Sequence, residues 1–486
     1  MDAGSLWSTV ALAAHIALVI AAFMFVPINR KPSSATAWLL LITAAPFLGL
    51  ILFLLVGSPK LPARRRKLQR QMTSMIAGTL ARGGGDPDWG TMAPRDLLPR
   101  FLPHAALAER LGGMSPMRGN EIDVLHGYDG IIATMVSEVE RARHYVHVEF
   151  YILAMDATTE PLLAALEAAV SRGVTVRLLL DQMGSRKFPG RKALERRLTA
   201  AGVAWRYMLP LFDFKEFLRP DLRNHRKILV ADSVVAFTGS LNLITKGYHR
   251  TDGLSYEELC VRVTGPVVFE LEAVFVTDWF SETGELLDQS AHPEVDKGTS
   301  DGGGALAQVL PSGSGFDNEN NLRLFTGLIH AARSNLLIAT PYFVPDESLL
   351  LAVTSAAQRG VAVTLVNSAA VDQPLVVGAQ RSFYEELLRA GVDIRLYRAP
   401  VLLHAKTMVV DDDLAVIGSS NLDIRSFTLN MEVSLILYGE DAVMPLRAVV
   451  ERYADLSDPV GLQDWLERPL RRRVVENLAR LTAALQ

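Results

Sequence analysis

Two long apolar runs open the chain, and shorter apolar segments alternate with polar ones through the rest. The runs are "LWSTVALAAHIALVIAAFMFV", residues 6–26, and "ATAWLLLITAAPFLGLILFLLV", residues 35–56. Each matches the ~20 residues that a helix needs to cross a hydrocarbon core, so both are predicted to be transmembrane helices. The short "PINRKPSS" between them makes a hairpin with both ends on one side. A cleaved signal peptide is the alternative for the first run, but "MDAGS" brings an aspartate and no basic residue where such a leader is positive. Pro46 and Gly49 are expected to put a slight kink in the second run. His15 stands alone among apolar neighbours and is assigned no function.

Directly after the hairpin come Lys60, Arg64, Arg65, Arg66, Lys67 and Arg70, in excess of Arg30 and Lys31 in its loop. By the positive-inside rule this places the remainder of the chain in the cytoplasm, behind a multi-pass hairpin. Two Gly- and Pro-rich stretches follow, "RGGGDPDWG" at 82–90 and "HPEVDKGTSDGGGALAQVLPSGSGFDNEN" at 292–320, with the composition of linkers.

Between and after them the pattern is written twice. "GIIATMVSEVERARHYVHVEFYI", "RGVTVRLLLD" and "AGVAWRYML" answer to "LRLFTGLIHAARSNLLIATPYFV", "RGVAVTLVN" and "AGVDIRLY". Helical stretches alternating with short branched strands predict an α/β layer fold in two copies. The expected divisions are 1–60 for the hairpin, 61–120 for a basic juxtamembrane segment and linker, 121–290 for a first lobe, 291–320 for a linker, and 321–486 for a second lobe with a C-terminal helix. A segment rich in Leu211, Phe212, Phe214 and Phe217 precedes the motif of the first copy only, as a lipid-facing lip or as core packing. The C-terminal helix carries Arg471, Arg472, Arg473 and Arg480 beside an apolar stripe, which suits either a membrane surface or packing on the second lobe.

Composition narrows the class without naming it. A chain of 486 residues with 49% hydrophobic content can build two or three domains, and a net charge of -4 excludes a globally basic nucleic-acid binder. The single cysteine, Cys260, lies in "EELCVRV", a buried-strand pattern that makes it a core thiol.

The chemistry lies in a motif that recurs at a constant offset. His225, Lys227, Asp232, Gly239, Ser240 and Asn242 of "NHRKILVADSVVAFTGSLN" answer to His404, Lys406, Asp411, Gly418, Ser419 and Asn421 of "LHAKTMVVDDDLAVIGSSN". On a strand, residues two apart share a face, so each histidine points the same way as its lysine. The aspartates fall where a turn is needed, as structural supports, and the returning strand brings Ser and Asn back toward the same face. Two half-sites joined by a pseudo-twofold would then offer two imidazoles, two ammonium groups, hydroxyls and amides to one phosphodiester. One neutral imidazole attacks phosphorus, the other carries the proton of the alcohol, and the cations and amides hold the oxygens. A metal site is the rival, but a lysine on the same face repels a divalent cation and cannot ligate while protonated. A purely structural duplicated hairpin explains the Asp and Gly-Ser, yet not the repeated His and Lys. Glu258 and Glu432 begin matching strands, "ELCVRVTG" and "EVSLILYG", and are candidates to orient the histidines, with Glu257 a substitute for Glu258.

These paired motifs resemble those of the phospholipase D superfamily. The hairpin, "HVEFYI", "TPYFVPD" and "NLDIRSFTLNMEV" further resemble the bacterial cardiolipin synthases along nearly the whole chain. The resemblance implies two pseudo-twofold-related phospholipase D-like lobes, mixed sheets flanked by helices, behind the membrane hairpin. It implies phosphatidyl transfer from one phosphatidylglycerol to another, releasing glycerol, with no metal or nucleotide cofactor. Carried onto this chain, His225 is the nucleophile and His404 the general acid and base. Lys227, Lys406, Asn242 and Asn421 bind phosphate with help from Ser240 and Ser419, Asp232 and Asp411 complete the catalytic motifs, and Glu258 and Glu432 brace the histidines across the interface. The expected partners are phosphatidylglycerol and anionic membrane lipid, with no nucleic acid; the oligomeric state is left open. The competing functions are a membrane-bound phospholipase D hydrolase or nuclease on the same site, and a non-catalytic membrane scaffold.

Overall fold

The alternating apolar segments of both copies pair into a single sheet of 15 strands in the computed structural model, which describes residues 3–28, 30–58, 60–83, 97–210, 219–287 and 304–482. At its centre Met117–His126 lies antiparallel to Ala305–Ser312. Outward from the first of these run Leu259–Thr264, Val235–Gly239, Lys227–Ala231, Tyr145–Phe150, Thr175–Asp181 and Ala204–Met208. Outward from the second run Glu432–Tyr438, Leu414–Gly418, Thr407–Val410, Asn335–Ala339, Ala362–Ser368 and Asp393–Tyr397, in the corresponding order, with Ser457–Pro459 added at the edge. An antiparallel central pair flanked by matching strand orders is a pseudo-twofold arrangement. In each half the outer strands are parallel and the motif strands antiparallel, as in Tyr145–Phe150 with Thr175–Asp181 against Tyr145–Phe150 with Lys227–Ala231.

Strands covered on both faces must be apolar along their length, and the motif strands Lys227–Ala231, Val235–Gly239 and Leu414–Gly418 are buried at every position. The two halves share a core in which Val261 and Val263 of the first meet Val309, Leu435 and Leu437 of the second. The helix Val267–Thr283 packs on this shared sheet and is buried along most of its length.

Several expectations change here. The segment expected as a linker at 291–320 contains Ala305–Ser312, a buried strand at the centre of the sheet; its "ALAQVLPS" reads as apolar only once the flanking glycines are set aside. Likewise 61–120 holds the helices Ala63–Gly83 and Leu102–Gly112 and the start of the other central strand. Arg65 of the basic stretch pairs with Glu282, while Arg66 and Arg70 pair with Asp317, so these three cations are engaged with carboxylates of the chain itself. Residues 84–96, 211–218 and 288–303, which carry parts of both Gly-rich stretches and the Leu211, Phe212, Phe214, Phe217 segment, lie outside the described residues.

Residues 1–60 with 219–221 form a compact unit apart from the rest. It contains the helices Ala3–Phe25, Pro32–Ala44 and Pro46–Val56. The slight kink expected at Pro46 is instead a complete break, with Ala45 at φ -140°, ψ 76°. Proline lacks the N–H that would continue the helix and pushes the residue before it out of helical geometry. The two pieces then fold on each other at Gly49, where a Cβ would stand 2.7 Å from the Ile42 Cα. Among the described residues, no helix is long and apolar enough to cross a membrane.

Candidate active site

The two histidines are held by the opposite half of the sheet before any side chain is considered. The His225 N–H donates to the Met431 carbonyl at 2.8 Å, and the His404 N–H donates to the Glu257 carbonyl at 2.8 Å. The strand Val401–Leu403, just before His404, pairs in parallel with Ser255–Glu257 of the first half. Each histidine is thereby delivered to the partner copy's glutamate. His225 Nδ1 lies 3.0 Å from both carboxylate oxygens of Glu432. His404 Nδ1 lies 2.9 Å from both oxygens of Glu258. A carboxylate on Nδ1 fixes the tautomer that leaves Nε2 for chemistry. The Glu257 side chain is not on His404; only its backbone carbonyl is.

The serines, candidates for phosphate binding or for orienting, lie against the glutamates. The Ser240 hydroxyl donates to Glu258 at 2.6 Å and that of Ser419 to Glu432 at 2.5 Å. Both serines are fully buried, and their hydroxyls are engaged with the glutamates. The motif glycines make this approach possible: a Cβ at Gly239 would come within 2.4 Å of the Leu259 carbonyl, and one at Gly418 within 2.2 Å of the Val433 carbonyl.

Asp232 and Asp411 lie at the other end of the motif strands, roughly 16 Å along a five-residue strand from the lysines. Asp232 accepts backbone N–H bonds from Arg143, His144 and Tyr145. Asp411 accepts from Arg333, Ser334 and Asn335 and pairs with Arg100. Both occupy the left-handed region, at φ 54° and 51°, which Asp tolerates better than most residues. They tie the hairpin turn to the helix-strand corner beside it, so their grouping with the catalytic residues is corrected to a structural role.

His225, His404, Asn242 and Asn421 line one cavity of about 800 Å³. Both lysines stand beneath their histidines instead of on this wall, with Lys227 Nζ donating to the His225 carbonyl at 2.6 Å and Lys406 Nζ to the His404 carbonyl at 2.7 Å. Burial lowers the Lys227 ammonium to about 8 and that of Lys406 to about 7. The amide oxygens of Asn242 and Asn421 are buried without a hydrogen-bond partner among the described residues.

The wall also includes residues that the motif spacing did not single out: Tyr151, Arg223, Tyr248, Tyr256 and Arg425. Tyr248 donates to Glu258 at 3.1 Å and accepts from the Asn242 amide at 2.9 Å. The second half has Asn430 in that place, its amide 3.3 Å from Glu432. Arg226, the residue between His225 and Lys227, points to the opposite face, where it pairs with Asp278 and donates to the Glu432 carbonyl. Position within the repeat was the only signal for these. "ITKGYHR" and "LDIRSFT" follow equivalent asparagines but share no pattern.

The histidines differ in electrostatics. Burial, then Lys227, Lys406 and His404, hold His225 well below the usual imidazole range, while burial raises Glu432 to about 7. Burial also lowers His404, but Glu258 opposes it; Glu258 itself stays below the usual carboxylate range because His404, Lys406 and Ser240 outweigh its burial. Cys260 is buried, and burial pushes its thiol up to about 12.

The family described as cardiolipin synthase, phospholipase D-like domain, matches residues 135–279 and 325–454, one match for each half of the sheet. The chain belongs to this family. A phospholipase D-nuclease N-terminal family matches residues 16–58. Among its relatives, cardiolipin synthase A of Yersinia pseudotuberculosis serotype IB (strain PB1/+) is 34% identical over 93% of this chain and 92% of its own length. Cardiolipin synthase A of Yersinia pestis stands at the same identity and coverage. The crystal structure of phosphatidylserine synthase from Haemophilus influenzae Rd KW20 covers 78% of this chain and 97% of its own, with a TM-score of 0.56 at 17% identity, a likeness of fold. Membership in the family makes the protein a phosphatidyltransferase of the phospholipase D type.

Proposed function

We propose that the shared cavity is a cardiolipin synthase site in which one phosphatidylglycerol gives its phosphatidyl group to the free hydroxyl of another, releasing glycerol. The single observation that carries this reading is the exchange of carboxylates across the halves, His225 with Glu432 and His404 with Glu258, around one cavity. In the first step His225 Nε2 forms a bond to phosphorus as the bond to the glycerol oxygen breaks, and His404 gives its Nε2 proton to that oxygen. In the second step His404 takes the proton of the acceptor hydroxyl, whose oxygen bonds phosphorus while the nitrogen-phosphorus bond breaks. Atoms and protons balance, and both imidazoles return to their starting states.

The assignment of His225 as nucleophile is supported by its electrostatics, since burial and then Lys227, Lys406, His404 and Arg425 disfavour its protonation, while Glu258 favours a proton on His404. Lys227 and Lys406 act mainly as charges behind the imidazoles, stabilising the negative oxygens at phosphorus. Asn242 and Asn421 reach those oxygens from the wall, with Arg223 and Arg425 nearby. The N-terminal unit, with its apolar helices, holds the enzyme at the bacterial inner membrane as a multi-pass anchor, with the catalytic part on the cytoplasmic side.

Incubating the purified full chain with phosphatidylglycerol in detergent tests the reading. Cardiolipin and glycerol in equal amounts are expected. Phosphatidic acid without cardiolipin would assign the site to a hydrolase instead.

A further inference from the structure

The helix Leu470–Arg480 has a buried edge and an apolar face that nothing among the described residues covers. Glu476 and Ala479 turn inward, and Ala479 lies against the helix Pro374–Ala390, where a Cβ at Gly378 would come within 3.1 Å of the Ala479 Cβ. Arg473 pairs with Glu385 and Arg480 sits 4.1 Å over the Phe383 ring, fastening the same edge. On the other side Leu470, Val474, Val475, Leu478 and Leu481 are 48% to 80% exposed. At 100° per residue these five fall within one arc with Arg471 inside it, while Arg472 lies outside the arc, toward the edge that carries Ala479; both arginines are exposed.

The face continues into the active site. A groove of about 660 Å³ beside the helix is lined by Arg381, Arg471, Arg472, Val475 and Pro374. Pro374 also lines the catalytic cavity, together with Leu375, which is 63% exposed at its rim. A packed helix with an outward apolar arc, an arginine within that arc, and an arginine-lined groove leading to a phosphate-handling cavity has the pattern of an interfacial surface.

We propose that the outward face of Leu470–Arg480 and the adjoining basic groove dock on an anionic bilayer, the arginines taking lipid phosphates and the apolar arc entering the acyl boundary, so that donor lipid reaches the cavity past Pro374 and Leu375. A second copy of the chain would cover the apolar arc equally well, but it would leave the arginine-lined groove without anionic ligands. The route to the cavity rests on the function proposed above; the docking does not.

The test uses the full chain with Val475→Cys carrying an environment-sensitive fluorophore, since Cys260 is buried and unreactive. In vesicles of phosphatidylglycerol and phosphatidylcholine, the label is expected to shift to the blue and lose about half its emission to quencher-bearing lipid acyl chains. A label that stays in water, or one that becomes sheltered without quenching by lipid, as between two copies, would overturn the proposal. In parallel, Leu478→Glu should cut the rate on phosphatidylglycerol vesicles about tenfold and leave the rate on detergent-dispersed lipid unchanged. Equal rates in both would also overturn it. Quenching without cardiolipin formation would instead count against the proposed function alone, because the label reports docking without turnover.

Discussion

The two half-sites are built from the same parts and are not equivalent. In one, Glu432 sits between His225 and Ser419, with an amide from Asn430 nearby. In the other, Glu258 sits between His404 and Ser240 and also receives the Tyr248 hydroxyl. The first carboxylate is raised to about 7 and its histidine is held strongly neutral; the second carboxylate is held ionised beside its histidine. Duplication thus supplies two imidazoles in unlike surroundings, and the mechanism proposed above gives attack to one and proton transfer to the other.

The comparison breaks most visibly at the histidines. His225→Ala and His404→Ala should each reduce cardiolipin formation by about 10⁴ or more, because neither half can act alone. A double variant that lost no more than either single one would match residues acting as a unit, and a single variant near full rate would break the account. Glutamine at the carboxylates comes next. Glu258→Gln and Glu432→Gln keep the shape and lose the charge, and each should lower kcat by about 10². Their alkaline limbs should differ: the loss of Glu258 removes support for the His404 proton, so that kcat begins to fall at lower pH as pH rises. Matching profiles for the two variants would show that the asymmetry has no consequence. The smallest effect is expected at Tyr248→Phe, which removes one neutral donor to Glu258 and should cost a few-fold in kcat, about 1 kcal/mol. No corresponding loss is expected at Asn430→Ala beyond the same size.

The buried lysines give the free enzyme a pH dependence of definite sign. Lysines lowered to about 7 and about 8 lose their protons as pH rises through those values, so kcat/KM should fall above pH 7 as the positive charges behind the imidazoles are lost. On the acid side His225 must be neutral, and its lowered value puts that limb below 6.5, the usual imidazole value. The measurement is kcat/KM against pH with detergent-dispersed phosphatidylglycerol. A profile that rises from pH 7 to 9 would contradict this assignment.

The motif repeat made both half-sites legible because i and i+2 periodicity and a constant offset are local properties of the sequence. The pairing of each histidine with a glutamate of the other copy was carried by family resemblance, since spacing alone does not say which strands become neighbours across a pseudo-twofold. The contact of the serines with the glutamates was hidden for a similar reason. A hydroxyl two residues from an asparagine shares its face in an ideal strand, but Ser240 and Ser419 lie just past the strand ends, where the close approach at Gly239 and Gly418 turns them to the carboxylates. Glycine-rich composition concealed the central strand Ala305–Ser312, because a linker and a strand can follow each other without a break in polarity. Tyr248 reaches the cavity from an irregular segment after the motif and Tyr256 from the three-residue strand Ser255–Glu257, too short for a periodicity to be read.

The division of labour is tested most directly with a phosphatidyl donor whose leaving group is an activated phenol that departs without a proton. His404→Ala should then release the phenol in a burst close to one equivalent of enzyme and accumulate a phosphatidyl adduct on His225, identifiable by mass spectrometry, while His225→Ala gives neither burst nor adduct. A burst and an adduct on His404 in the His225→Ala protein would contradict the account.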